Sequence, residues 1–486
     1  MAHTLRWLQL LLLLLFCFCA QSLFRSPTQN ELLNTMVHPH DGWFRQRLDH
    51  FTQQRFLFWQ QRYLINDTFY RPGGPVFLML VGEKALNRIM LLKKYAWITY
   101  AERLGAFCIL LEHRFYGHSQ PTGDLTITSL QYLSSKQVLA DIAYFRIEMG
   151  QQMRLTQNKW VVFGGSYAGI LAVWSRIKYP NLFAAAVGSS APLKAKVNFF
   201  EYFKMIDRIL TNRDKKCSKS VKEAFGHLAE MVKHPEYYIK LKDDFNLCNV
   251  FGNDSSMDTA YFMKNLLSLL YIIVQKNVMN IAALQNRFPI DYFCAIMANT
   301  SLGSPYYRFA HFENNLLKIK NQSCFVSNYK DYLAAMSNPS MDRRKLKKDR
   351  QWLYQSCTEF GFFQTTDSKN HPFSGVPLRY FLKLCSDAFG LKFSTDSVSR
   401  AIRTTNRHYG GLKVNGSKII FPNGSSDPWH VLGVTKNIRE DLPAVFMKGN
   451  TVVNSQRPTN KMIYQRAKVK TTVQICKNKG KLIPFN

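Results

Sequence analysis

Ser166 stands in a setting that a nucleophile requires. It closes the segment Trp160-Val161-Val162-Phe163-Gly164-Gly165-Ser166 and is followed by Tyr167-Ala168-Gly169. An apolar run that turns sharply into a helix at a serine needs neighbours without bulky Cβ groups, because the backbone of the turn is strained. Such a turn lifts the hydroxyl off the end of a strand and places the amide of Tyr167 where it can donate to a developing oxyanion. The chemistry this predicts is nucleophilic attack on a carbonyl carbon. A serine hydroxyl is a weak nucleophile until a base takes its proton. In the strand–turn–helix setting the partners follow in the order serine, acid, histidine. Asp427, in Phe421-Pro422-Asn423-Gly424-Ser425-Ser426-Asp427-Pro428-Trp429, is the candidate acid, since a loop carboxylate just past a strand is placed to orient an imidazole. The histidine is the difficulty. The last of the twelve is His430, three residues beyond Asp427 and in the first turn that Asp427-Pro428 opens. It reads as a structural or surface side chain.

The elements needed to hold these residues are legible in the hydropathy pattern. Apolar strands are expected at Pro75–Leu80, Ala106–Leu111, Trp160–Phe163, Ala184–Val187 and Lys418–Phe421, with helices at Met90–Leu104 and from Ser134 onward. Strands alternating with helices at this pitch predict an α/β fold, a mostly parallel sheet covered on both faces. From about Lys196 the texture becomes amphipathic and helical, at Val197–Met205, Val221–Val232, Tyr261–Val278 and Gln351–Phe360. This stretch reads as an all-α insertion. The basic run Arg343–Arg350 within it reads as a solvated helix face or loop. The expected division is a leader at 1–22, a first α/β part at 23–195, a helical cap at 196–404 and a second α/β part at 405–486.

Composition places the chain among globular proteins. Hydrophobic residues are 46% and charged residues 20%, while 64 Lys and Arg against 32 Asp and Glu give a net charge of +32. No heptad or longer repeat is present, which excludes coiled-coil and collagen-like readings. Arg6, the apolar run Leu8–Phe18 and Ala20-Gln21-Ser22 predict a signal peptide cleaved after Ser22, and no later segment is read as a membrane span. Six sequons, at Asn66, Asn253, Asn299, Asn321, Asn415 and Asn423, are candidate glycosylation sites. Cys217, Cys248, Cys294, Cys324, Cys357 and Cys385 crowd into one third of the chain, which in an oxidising compartment reads as a disulfide framework. No C-x-x-C pair occurs, so zinc is not expected, nor is any other metal or cofactor. The positive charge makes acidic surfaces or glycosaminoglycans candidate partners; the leader and sequons argue against nucleic acid.

These motifs together resemble the serine carboxypeptidase-like family of lysosomal prolyl carboxypeptidase, dipeptidyl peptidase II and thymus-specific serine protease, and look most like the last. The matching blocks are Asp49-His50-Phe51, Glu112-His113-Arg114-Phe115-Tyr116-Gly117-His118-Ser119, Tyr132-Leu133-Ser134-Ser135-Lys136-Gln137, Gly164-Gly165-Ser166-Tyr167, Ser189-Ser190-Ala191-Pro192, and Asn423-Gly424 with Asp427-Pro428-Trp429. The resemblance covers residues from about 40 to 450. It implies an α/β-hydrolase domain split by a disulfide-linked helical cap. It also implies the pairs Cys217–Cys294, Cys248–Cys324 and Cys357–Cys385, leaving Cys108 and Cys476 over. By position Ser166 matches the nucleophile and Asp427 the acid. Active relatives are exopeptidases that act next to proline or after a dipeptide, which implies peptides with proline near a terminus as ligands here, and the expected location is the secretory pathway, in the lysosome or endosome or outside the cell.

Two departures bear on activity. The family histidine follows a glycine near the C-terminus, and the corresponding stretch here is Gly449-Asn450-Thr451-Val452-Val453. Neither Thr451 nor Val452 can accept the Ser166 proton. The loop that usually reads Gly-Gly-Glu-Gly, lining the oxyanion and terminus-binding region, is here Val81-Gly82-Glu83-Lys84. Gly82 remains a candidate oxyanion donor, while Glu83 and Lys84 fall in the substrate groove, Lys84 either paired with Glu83 or facing solvent. Three functions follow. The first is an inactive or severely impaired member of the family; the second is an active exopeptidase whose base is His430, or His311 or His371 from the cap. The third is a secreted basic glycoprotein that acts by binding.

Overall fold

A computed structural model of the chain describes residues 40–52, 57–91, 95–252, 255–276, 290–341 and 348–448. The expected leader, Asn253, residues 343–347 of the basic run, Thr451, Val452 and Cys476 lie outside the described residues.

Among the described residues eight strands form one sheet: β1 (His40–Arg47), β2 (Phe58–Asn66), β3 (Val76–Leu80), β4 (Phe107–Leu111), β5 (Trp160–Gly165), β6 (Ala185–Ser189), β9 (Ile419–Gly424) and β10 (Ala444–Met447). Their order is β1-β2-β4-β3-β5-β6-β9-β10. The pairs β1/β2 and β2/β4 are antiparallel, and every later pair is parallel. This is an α/β-hydrolase sheet. Successive side chains on a strand point to opposite faces, and the central strands bury both sets. Leu78, Leu80, Ile109 and Val162 join one core cluster, and Phe77, Met79, Leu110 and Phe163 another. Burial on both faces explains the continuous apolar runs. Helix α1 (Ala96–Leu104) contributes Trp97 and Ile98 to the second cluster. Helices α2 (Ser135–Gln152) and α3 (Tyr167–Lys178) contribute to the first.

Between the neighbouring strands β6 and β9 the chain makes a long helical excursion. It comprises α4 (Glu201–Arg213), α5 (Lys215–Met231), α6 (Ser255–Lys276), α7 (Ile290–Ala298), α8 (Pro305–Ile319), α9 (Tyr329–Ser337), α10 (Asp349–Gln355), α11 (Leu378–Phe389) and α12 (Thr395–Tyr409). Disulfides join Cys217 to Cys294, Cys248 to Cys324 and Cys357 to Cys385, the pairs that the resemblance implies. The free Cys108 is buried in β4. Helix α6 is long and apolar enough by composition to cross a bilayer, but two thirds of its apolar stretch is packed inside the protein.

Three expectations change. The segment expected as a helix over Val197–Met205 opens instead as β7 (Lys196–Asn198), which pairs with β8 (Gly361–Phe363) before α4 begins. The helix expected from Met90 begins at Ala96, after a 3-10 turn at Arg88–Leu91. Arg350, read as part of a solvated basic face, is buried. Its guanidinium donates to the carbonyls of Leu125 (2.9 Å) and Met336 (2.5 Å) and lies 4.8 Å from the Phe389 ring, tying the cap to the loop before α2.

The cap also encloses Glu313 of α8, whose Oε2 is buried with no hydrogen-bond partner among the described residues. Burial pushes its carboxyl up to about 8, from 4.5. A folded value above the unfolded one means that the unfolded chain ionises first, so this contribution is fully present below pH 4.5 and is lost as pH rises through 8. The expected outcome is that Glu313→Gln matches the parent near pH 4.5 and becomes progressively more stable than it toward pH 8, by roughly 4 kcal/mol. Melting curves across that range check it; a constant difference would contradict the assignment.

Candidate functional site

The sheet brings the candidate residues to the C-terminal ends of three adjacent strands. At the end of β5, Ser166 has φ 59° and ψ −128°, a conformation that costs a non-glycine residue energy and is held by its surroundings. Its N–H donates to the Ser189 carbonyl at the end of β6 (2.9 Å). Helix α3 then sits so close to the sheet that a Cβ on Gly164 would lie 2.0 Å from the Ala168 carbonyl oxygen. A Cβ on Gly188 would lie 2.5 Å from Val173. The two glycines are therefore packing requirements, and they fix where the Ser166 hydroxyl emerges.

Tyr167 is the first residue of α3, so no carbonyl four residues earlier within the helix can accept its N–H. Gly82 packs against this turn: a Cβ there would lie 3.3 Å from the Ala168 nitrogen. The backbone of the loop after β3 thus meets the backbone after Ser166, the arrangement two oxyanion donors need. Lys84 is exposed and makes no ion pair with Glu83 among the described residues. Glu83 is half-buried, and its negative charge helps to raise the hydroxyls of Tyr116, Tyr167 and Tyr271, after the larger effect of burial. Of the residues it influences, Tyr167 belongs to the elbow and Tyr271 to cap helix α6.

Asp427 follows β9 and caps the 3-10 turn Pro428–Leu432, its Oδ1 accepting from Trp429 N–H at 3.1 Å. The carboxylate is fully buried, and Oδ2 has no hydrogen-bond partner among the described residues. Burial pushes Asp427 up to about 7; the Trp429 amide and the nearby Ser190 hydroxyl pull the other way. The Ser190 hydroxyl does not reach hydrogen-bond geometry, and neither it nor the buried Tyr202 hydroxyl has a partner among the described residues. Trp429 packs edge-on between Phe199, Tyr202 and Phe362, which anchors the acid loop to the base of the cap.

Under the elbow lies a chain of hydrogen bonds that the sequence reading did not resolve. Tyr116 donates to Gln355 Oε1 (2.6 Å), and Gln355 Nε2 donates to the Tyr167 hydroxyl (2.8 Å). The Tyr167 hydroxyl in turn meets His113 Nε2 at 2.9 Å, and His113 Nδ1 lies 2.6 Å from the Arg114 carbonyl. Donation from Nδ1–H to that carbonyl leaves Nε2 as an acceptor, which fixes the direction of every proton in the chain. Burial pushes His113 down to about 4, which keeps the ring neutral and suited to this role. Beside it the Arg114 guanidinium grips Asp141 with two hydrogen bonds (2.5 and 2.6 Å), and His50 Nε2 lies 2.7 Å from the same carboxylate. Glu359 of the cap accepts from the backbone N–H and hydroxyl of Ser135 at the start of α2. Gln355 and Glu359 carried no local signal, because their partners are more than 180 residues away in sequence.

Residues 46–466 match the family model for serine carboxypeptidase S28. The chain belongs to the serine carboxypeptidase S28 family. It is 35% identical over 422 residues to the thymus-specific serine protease of Mus musculus, covering 84% of this chain and 81% of that protein. To the human thymus-specific serine protease it is 34% identical over 406 residues, 82% and 78% of the two chains. The human lysosomal Pro-X carboxypeptidase is 26% identical over 415 residues, 83% and 80%.

In this S28 chain none of the three histidines weighed as a substitute base has a described contact with Ser166. His430 Nδ1 lies 2.5 Å from the Asp427 backbone carbonyl rather than its carboxylate, and its ring packs against Phe446. His371 is held by the carbonyls of Phe373 and Phe200 in the cap. His311 is exposed beside Asn315 on α8. Strand β10, which precedes Thr451 and Val452 in sequence, runs parallel to β9 with Met447 opposite Gly424, so it ends beside the Asp427 loop. Among the sequons, Asn299, Asn321 and Asn415 are exposed. Asn66 and Asn423 are buried, and Asn423 Nδ2 donates to the Val434 carbonyl at 2.7 Å. Little of either side chain is open to solvent in the folded protein. Three disulfides require folding in an oxidising compartment such as the secretory pathway.

Replacing Tyr167 by Phe leaves Gln355 Nε2 and His113 Nε2 buried without their partner. Denaturant titration is expected to show a loss of about 1–3 kcal/mol; an unchanged midpoint would mean the network does not support the elbow.

Proposed function

We propose that this S28 chain keeps the peptide cleft, nucleophile and acid of an exopeptidase but not its base, so that it binds peptides and turns them over slowly at most. Ser166 serves as the nucleophile, Asp427 as the acid, the amides of Tyr167 and Gly82 as oxyanion donors, and Glu83 lines the groove. The observation that carries this reading is the Asp427 carboxylate. Its Oδ2 is buried without a hydrogen-bond partner among the described residues, where a working triad would have it accept from an imidazole Nδ1–H. The sequence supplies no histidine after His430. The names of the relatives support peptides as ligands, with proline near a terminus, and a lysosomal or other secretory-pathway location.

Loss of the base alone costs on the order of 10⁶ in kcat in an unrelated serine protease, with about 10³ over water surviving from binding and the oxyanion donors. A fluorophosphonate probe is therefore expected to label the purified protein far below stoichiometry. Thr451→His or Val452→His is expected to restore labelling and hydrolysis of an X-Pro peptide. Added imidazole should give a weaker rescue that grows as pH rises through 7, because Asp427 must ionise to hold the ring. Rapid stoichiometric labelling of the unaltered chain, abolished by Ser166→Ala, would establish the active-enzyme alternative instead.

A further inference from the structure

Helix α12 is the last element of the cap before the chain returns to the sheet. Its inner stripe, Val398, Ile402, Thr405 and Tyr409, is buried, and Tyr409 stacks on Trp174 of α3 with ring centroids 3.5 Å apart. At about 100° per residue, Arg400, Arg403 and Arg407 fall on the opposite side of the helix and point straight into solvent. All three are exposed, and none makes an ion pair among the described residues. The stripe continues onto the hydrolase domain. Lys178, at the C-terminal end of α3, donates to the His408 carbonyl (3.2 Å), and its ammonium lies 5.4 Å from the Tyr409 ring. Lys136, at the start of α2, is close enough to His408 to help Lys178 hold its ring below the usual histidine range, behind the larger effect of burial.

The carboxylates of the elements packed on α12 leave this charge standing. Glu359 is turned inward onto Ser135, and Asp387 of α11 is taken by Lys383 and the Tyr329 hydroxyl. Asp396, in the first turn of α12, is the one acidic residue of the helix itself. Cations near a helix C-terminus are favoured by the backbone dipole, which accounts for Arg407. It does not account for Arg400 and Arg403, a turn or more earlier.

We propose that Arg400, Arg403, Arg407, Lys178 and Lys136 form a docking surface for a sulfated polysaccharide of the glycosaminoglycan class. The three arginines span about 10 Å along the helix and present forked donors that match sulfate oxygens in pairs. A linear polymer with a repeating negative charge engages such a ridge without a concave site. A bilayer is a poorer fit, because a helix lying in a membrane interface needs a free apolar face, and that of α12 is spent on the core. Nucleic acid does not share the oxidising compartment that three disulfides require. Lys178 sits at the opposite end of α3 from Ser166.

The test uses the full chain and heparin as probe, at about 0.15 M salt, where long-range non-specific attraction is largely screened. The triple variant Arg400→Ser, Arg403→Ser, Arg407→Ser is compared with Lys215→Ser, Lys216→Ser, Lys219→Ser on α5, which removes the same net charge from another exposed helix. The single reversal Arg403→Glu serves should the triple variant fold poorly, with circular dichroism confirming each fold. Expected is a loss of affinity of about tenfold or more for the α12 variants, a much smaller loss for the α5 variant, and no binding of desulfated heparin. Equal losses in the two triple variants, or no heparin binding by the parent, would overturn the proposal. It would also fall if the α12 changes abolished binding to vesicles of equal parts phosphatidylcholine and phosphatidylserine while leaving heparin binding intact.

Discussion

The approach of α3 to the sheet is the constraint on which the site depends. With 2.0 Å between a notional Gly164 Cβ and the Ala168 carbonyl, the helix can lie where it does only if position 164 has no side chain, and Gly188 on the next strand imposes the same condition. From that contact follow the positive φ of Ser166, the orientation of its hydroxyl, and the meeting of the Tyr167 turn with Gly82. A backbone held this way costs about 1–3 kcal/mol of local strain, and the surrounding apolar core supplies the compensation. Trp160, Val162, Ile170 and Trp174 are all buried to 2% exposure or less.

The cap is joined to this elbow by buried polar contacts rather than merely resting on it. Gln355 bridges Tyr116 and Tyr167, Glu359 closes the N-terminus of α2, and Arg350 reaches back to the Leu125 carbonyl. Leaving one of these groups without its partner costs more than forming the bond gains, so the three contacts act together to hold one relative placement. Burial pushes Glu359 up to about 7, as it does Asp427, so both carboxylates at the boundary between sheet and cap gain charge as the surroundings pass from acid to neutral.

Much of this was visible in the sequence where a local pattern dictated it. Strands β3, β4, β5, β6 and β9 are apolar because both faces are covered, and the Gly-Gly-Ser turn declares itself by its lack of side chains. Strands β1 and β2 were not foreseen, because an edge pair such as His40–Arg47 with Phe58–Asn66 buries only part of its surface and shows no clean apolar run. In the cap the periodicity marks α5, α6 and α10 but not α7, α8, α9, α11 or α12, and it reads Val197–Asn198 as helix because their strand partner Gly361–Phe363 lies about 165 residues away. The partners of His113 and Tyr167 were invisible for the same reason. Periodicity reports which face of an element is covered, not what distant residue meets it. Arg350 failed differently: a run of like charges suggested solvent, and one member of it was enclosed by carbonyls from three separate segments.

The order of strands in the sheet has a consequence for how such a protein can change over generations. Ser166 follows a central strand flanked on both sides, so substitutions there disturb folding as well as chemistry. Strand β10 lies at one edge of the sheet, four residues long with Met447 its one buried residue, and among the described residues it pairs only with β9. Packing alone therefore holds Gly164, Gly188 and the turn they impose on Ser166, whatever selection acts on the chemistry there.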